Sequence, residues 1–171
     1  MAAKQLKPAA FVNAVLRSFW KDSGLEPRLL GTNNFRIRDA QKGRVDFELD
    51  IHKDHTNRMN SIHGGTLASM VDLGGSLAVA SMGLFATGVS TDLNVTYISS
   101  GGAPGDKLTG TATCDKIGKT LAYTTVVFQN AKGELAARGS HTKFVAKVWP
   151  NDRPLFALPE GVTDPEETNG N

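Results

Sequence analysis

Three features of the 171-residue chain predict an α+β fold. One stretch near the N-terminus has helical spacing. A long charge-poor stretch in the middle has it too, and two groups of strand-like runs flank that stretch. The order is helix, two strands, a central helix, then four strands. Runs of neighbouring strands beside one helix imply an antiparallel sheet.

The first helix is expected over 9–21, where Phe11, Val12, Val15, Leu16, Phe19 and Trp20 fall on one amphipathic face. Over 44–51, Val45, Phe47, Leu49 and Ile51 alternate with Asp46, Glu48 and Asp50, the pattern of a half-buried strand. Asn34 to Asp39 is its expected hairpin partner, turning through Gln41, Lys42 and Gly43. A polar loop from His52 to Ile62 leads into the central helix, expected from about Gly64 to Met82, with Leu67, Met70, Val71, Gly74, Ala78 and Met82 at helical spacing. Its remaining faces are also poor in charge, so it should be buried nearly all round. Strands follow near 89–98, 107–115, 121–129 and 135–147, separated by turn clusters at Ser100 to Gly105 and Asn130 to Gly133. The expected domain covers 1–148. Residues 149–171 form an acidic, proline-containing tail, loose or clipped to the surface by Trp149, Leu155 and Phe156.

Composition narrows the function classes. Apolar residues are 40% and charged residues 21%, enough for a core and too mixed for a disordered chain. Cys114 is the one cysteine, so neither an intramolecular disulfide nor a multi-thiolate zinc site can form; it is expected as a half-buried strand residue. The formal charge is only +2, and Asp152, Glu160, Asp164, Glu166 and Glu167 face a lone Arg153 in the tail, so the basic excess lies in the body. That suits an anionic small molecule. Nucleic acid is not expected, because no aromatic–basic interleaving occurs. No charge falls between Asp72 and Asp92, yet the run is broken by Gly74, Gly75, Gly83 and Gly88 and carries several hydroxyls, so no membrane span is expected. Lys4, Lys7, Arg17 and Lys21 precede any acid, a hint of mitochondrial import, but arginine and serine are too sparse there for a typical transit peptide. A cytoplasmic location is the expectation.

Several motifs fail. Gly118-Lys119-Thr120 ends like a phosphate loop, but Thr stands at 113 where glycine is needed and a strand follows instead of a helix. No Gly-x-Ser-x-Gly elbow occurs. His52 and His55 lack a supporting carboxylate–histidine motif and are expected as solvated loop histidines, with no metal. Asn94-Val95-Thr96 reads as plain strand.

Chemical content concentrates between His55 and Asp72. Gly64 and Gly65 open the central helix, where free N–H groups and the positive end of the helix dipole can stabilise an oxyanion; a simple tight turn is the other reading. Asp72 is the single charge inside that helix, either paired to a neighbouring hydroxyl or acting as a general base. Gly64 and Asp72 lie eight residues apart, roughly 12 Å along a helix rising ~1.5 Å per residue. Both cannot act on one carbonyl within one chain. Two antiparallel helices about a two-fold axis could bring the Asp of one beside the Gly of the other, and Gly74-Gly75 would allow close helix approach.

Asn57, His63-Gly64-Gly65, Asp72 nine residues after the histidine, and Val89-Ser90-Thr91-Asp92-Leu93-Asn94-Val95-Thr96-Tyr97 together resemble the hotdog-fold acyl-coenzyme A thioesterases, of the thioesterase superfamily member 2 and phenylacetic-acid-degradation type. Gly118 to Tyr123 and Gly139 to Lys143 continue the likeness, which covers about residues 9–147. The resemblance implies a long antiparallel sheet wrapped around the central helix and hydrolysis of medium- or long-chain acyl-coenzyme A. It implies that Asp72 and Ser90 handle the attacking water, that Gly64 N–H and Asn57 of the partner bind the carbonyl oxygen, and that His63 orients this network. Whether Asp72 is base or transient nucleophile stays open. Coenzyme contacts fall by the same resemblance on Gly65, Lys119, Thr120, Arg138, His141 and Lys143, with Lys119, Arg138 and Lys143 nominated for the phosphates. A thiolate leaves with a pKa of about 8.5, so no strong general acid is needed. No cofactor is implied, coenzyme A being part of the substrate. The expected assembly is an obligate homodimer, with a homotetramer built from it. A non-catalytic acyl-coenzyme A binding module and an aryl- or phenylacetyl-coenzyme A thioesterase are the alternatives. Leu73-Gly74-Gly75 is more glycine-rich than the family pattern after the Asp.

Overall fold

The computed structural model describes residues 4–164, so Glu166 and Glu167 of the acidic tail lie outside the described residues. Helix α1 spans Pro8–Asp22, with Pro8 at its first turn, where no N–H is needed, and Lys21 in the last turn, where a cation suits the dipole. Phe11, Val12, Val15 and Leu16 are buried on the face the spacing predicts. A one-turn helix α2, Glu26–Leu30, follows. Only five residues long with a proline in its first turn, it has no periodic signature to read.

Strands β1 (Phe35–Gln41) and β2 (Arg44–Asp50) form the expected hairpin. A single turn of 3₁₀ helix at Lys53–His55 leads to helix α3, Gly64–Ala80. Strands β3 (Val89–Tyr97), β4 (Lys107–Ile117), β5 (Leu121–Gln129) and β6 (Leu135–Phe144) complete one antiparallel sheet of order β1-β2-β4-β5-β6-β3. The sheet wraps α3, which packs against β2 through β6. This is the hotdog arrangement.

Helix α3 ends two residues sooner than its spacing suggests. Ser81 Oγ donates back to Ala78 O at 2.6 Å and accepts from Gly43 N at 3.0 Å, and Gly83 turns the chain at φ 98°. Strand β6 stops at Phe144 because Val145 N donates instead to Thr120 O in the β4–β5 turn.

Gly74 and Gly75 correct a sequence expectation. Both are buried against the protomer's own sheet, where a Cβ on Gly74 would lie 3.2 Å from Phe47 and one on Gly75 would lie 2.6 Å from His141 Nδ1 and Thr124 Oγ1. Their small size brings α3 down onto β2, β5 and β6, not onto a second helix.

The tail is clipped. Phe156 packs edge-on against Phe11, its N–H bonds Gly83 O, and its carbonyl accepts from Leu6 N. Trp149 Nε1 donates to Lys119 O. No helix among the described residues is long and apolar enough to cross a membrane.

Candidate active site

Two half-sites flank edge strand β3. The first is the start of α3. His63 is the N-cap, and its Nδ1 accepts from Gly65 N at 2.7 Å. That bond leaves the Nε2–H tautomer of a neutral ring and occupies the Gly65 N–H, which is therefore not open to a ligand. Gly64 N–H has no hydrogen-bond partner among the described residues. Tyr97, at the end of β3, donates its hydroxyl to Gly64 O at 2.9 Å, and its ring would crowd any Cβ on Gly64 at 3.1 Å. Glycine at 64 thus lets the first turn of the helix sit against Tyr97.

Asn57 lies in the preceding loop. Its Oδ1 accepts from Met59 N at 2.9 Å and Ser61 N at 3.2 Å. The local turn uses the acceptor, while the Nδ2 amide has no partner among the described residues. The first half-site therefore offers two donors without internal acceptors, at the positive end of a 17-residue helix.

The second half-site lies eight residues along α3. Asp72 is half exposed in the protomer, and its Oδ1 is 3.7 Å from His141 Nε2. His141 is fully buried on the helix-facing side of β6, and Nε2 is 2.8 Å from Ser90 Oγ. Its Nδ1 faces the bare Gly75 and has no hydrogen-bond partner among the described residues. Burial and the nearby Lys143 ammonium push the His141 pKa below the usual histidine value, against the pull of Asp72. Lys143, two residues on, is only 3% exposed and donates to Ser76 Oγ at 2.9 Å. Burial lowers its pKa below the ordinary lysine value, opposed by Asp72 and Glu26.

His141 and Lys143 were expected to contact coenzyme A, a role that suits a surface. Alternation along β6 turns both inward in the protomer, where they are buried beneath Asp72. Arg138 is exposed on the outer side of β6, paired in register with Thr96. Lys119 and Thr120 are exposed in the β4–β5 turn at the opposite end of β6. One protomer does not gather these cations at a single place. His55 also departs from expectation. It is 2% exposed, not solvated, while His52 is exposed. No cluster of three or more histidine, cysteine, aspartate or glutamate side chains suited to a metal occurs among the described residues.

The contributions of Tyr97, Ser76 and Thr124 were not anticipated. Only Tyr97 carried a signal, its place at the end of the matched strand.

A profile of the thioesterase superfamily matches residues 59–137. A Schizosaccharomyces pombe protein named as a candidate esterase is 40% identical over 154 residues, covering 90% of this chain and 94% of its own length. Human acyl-coenzyme A thioesterase 13 is 38% identical over 130 residues, 75% of this chain and 90% of the relative. Among solved structures, zebrafish thioesterase superfamily member 2 superposes with TM-score 0.70 at 35% identity, covering 78% of this chain and 94% of that chain. A hypothetical thioesterase of Streptococcus pneumoniae, solved with coenzyme A, gives TM-score 0.61 at 27% identity over 66% of this chain and 85% of that chain.

Proposed function

The chain belongs to the thioesterase superfamily, with acyl-coenzyme A thioesterases among its relatives, and from that premise we propose that two copies of it build a site that hydrolyses medium- and long-chain acyl-coenzyme A. One observation carries the reading. The Gly64 N–H and the Asp72 carboxylate belong to one continuous helix, at either end of edge strand β3; among the described residues, that N–H has no acceptor and the outer side of β3 has no partner strand.

Strand β3 exposes Val89, Leu93 and Tyr97, with Ile98 just beyond. An exposed apolar edge favours pairing with another strand. If two β3 strands pair antiparallel about Leu93, Ser90 of one lies across from Thr96 of the other. Tyr97, and the Gly64 it holds, then approach the partner's Ser90 and Asp72. The roughly 12 Å separation along one helix is thereby bridged between two chains.

In this site, Asp72 and the Ser90 hydroxyl hold a water, and Asp72 takes its proton as the oxygen attacks the thioester carbonyl carbon. The partner's Gly64 N–H and Asn57 Nδ2 stabilise the oxyanion. Collapse expels coenzyme A as its thiolate, which takes up the proton held on Asp72, so acid, thiol and free enzyme result. His141, hydrogen-bonded to Ser90, steadies its hydroxyl, and His63 supports the first half-site through its cap. An open cleft of about 420 Å³ just before Ser90, lined by Phe19, Phe85, Ala86 and Thr87 with Ser18, Asp22 and Ser23 at its polar side, offers an aromatic surface to an acyl chain.

Thiol release measured over a panel of acyl chain lengths tests the substrate class. Asp72→Asn should lower kcat by about a thousandfold with an unchanged fold by circular dichroism, the scale expected when a catalytic group acting on the attacking water is lost. A fully active Asp72→Asn enzyme contradicts the assignment.

A further inference from the structure

His55 sits where the loop between β2 and α3 closes on itself. Its buried imidazole spans two backbone groups, Nδ1 accepting from His52 N at 2.9 Å and Nε2 donating to Leu30 O at 3.0 Å. Only the neutral Nε2–H tautomer satisfies both. Its carbonyl accepts from His63 N at 2.8 Å and from Thr66 Oγ1 at 3.0 Å. Between these anchors the chain makes a narrow excursion. Thr56 bridges Ile62, and Asn57 N donates to Ser61 O at 2.8 Å.

We propose that His55 is a positioning residue for the carbonyl-binding half-site, holding the loop that carries Asn57 in fixed relation to the first turn of α3 and its Gly64 N–H. This rests on the reading of those two groups as the oxyanion donors. His55 itself is closed to substrate, so it acts through its neighbours. The residue before Gly64 receives its start position from His55 O, and the residue two after His55 is Asn57. A flexible side chain could meet one backbone group, but the rigid ring meets two on opposite sides, tying the loop to α2 as well. Burial keeps the His55 pKa below the usual histidine value, which preserves the neutral form that this role needs.

The test replaces His55 in the full chain with leucine, which removes both bonds, and with asparagine, whose amide oxygen can take the place of Nδ1. In thiol-release kinetics, His55→Leu should lower kcat by about 100-fold with KM within about threefold, the scale of a misplaced or lost oxyanion donor. His55→Asn should recover kcat to within about tenfold of the parent. Amide hydrogen exchange should quicken at Asn57, Ser61 and His63 in His55→Leu, with the β5 and β6 amides unchanged. Should His55→Leu fail to fold, Thr66→Val, which removes the second bond to His55 O, should quicken the same three amides and lower kcat with KM retained. A folded His55→Leu enzyme with parental kcat, or one whose exchange at those amides is unchanged, overturns the proposal. Absence of thioesterase activity in the parent enzyme would overturn the functional reading instead, and the exchange pattern would still decide whether His55 holds the loop.

Discussion

At the scale of residues, Gly75 and His141 depend on each other. An alanine Cβ at 75 would lie 2.6 Å from His141 Nδ1 and Thr124 Oγ1, closer than real contacts allow. The ring that touches Ser90 and approaches Asp72 would have to move. Gly75→Ala should therefore destabilise the fold by about 1–3 kcal/mol, as overpacked cores do, and lower kcat as well. Gly74→Ala meets only Phe47 and Val126 at 3.2–3.3 Å and should cost less of both. Denaturant midpoints and thiol-release rates of the two variants check the contrast. Sequence spacing singles out Asp72 and Gly64, and the family resemblance adds Asn57. It does not show which way β6 turns its polar residues, which is why His141 and Lys143 are both expected as coenzyme contacts. Cys114 was read as an inert strand residue, and burial does push its thiol up to about 11.

At the scale of elements, the helices and strands with strong periodicity were legible, and their ends were not. Local bonds that no periodic pattern encodes decide those ends: Ser81 back onto Ala78, and Val145 onto Thr120. The strand β2 alternation was read as an outward acidic face, which understates its partners. Glu48 is nearly buried beneath Arg36, Arg38 and Lys107, and Asp50 is held by Arg36 and Lys107. These cations keep both carboxyls below the ordinary carboxylate range, and Arg44 and Thr111 do the same for Asp46. A depressed folded-state pKa contributes stability that is present above the unfolded value and lost as pH falls toward the folded one. Unfolding midpoints should thus hold steady near neutrality and drop progressively below about pH 4.5. Arg36→Ala should flatten that acid slope. A parent protein whose midpoint does not change between pH 7 and pH 3 would contradict this account of the β1–β2–β4 face.

At the scale of the whole molecule, the sequence already argued that one chain is too small a unit, from the distance between Gly64 and Asp72 alone. The sheet order adds the means, since β3 is an edge with apolar side chains exposed. Exposure of that kind was not legible beforehand, because a strand's place in the sheet order is a property of topology and not of local pattern. The direct test of the shared site is subunit complementation. In the two-chain site, Asp72→Asn and Asn57→Ala chains should each lose nearly all activity when alone. When mixed in equal amounts and allowed to exchange, they form heterodimers in which one site carries both parental residues and the other carries neither. Recovered activity should approach about a quarter of the parent rate, since half the dimers are mixed and one of their two sites works. No recovery, with heterodimers demonstrated by native mass spectrometry, would contradict a site built from two chains.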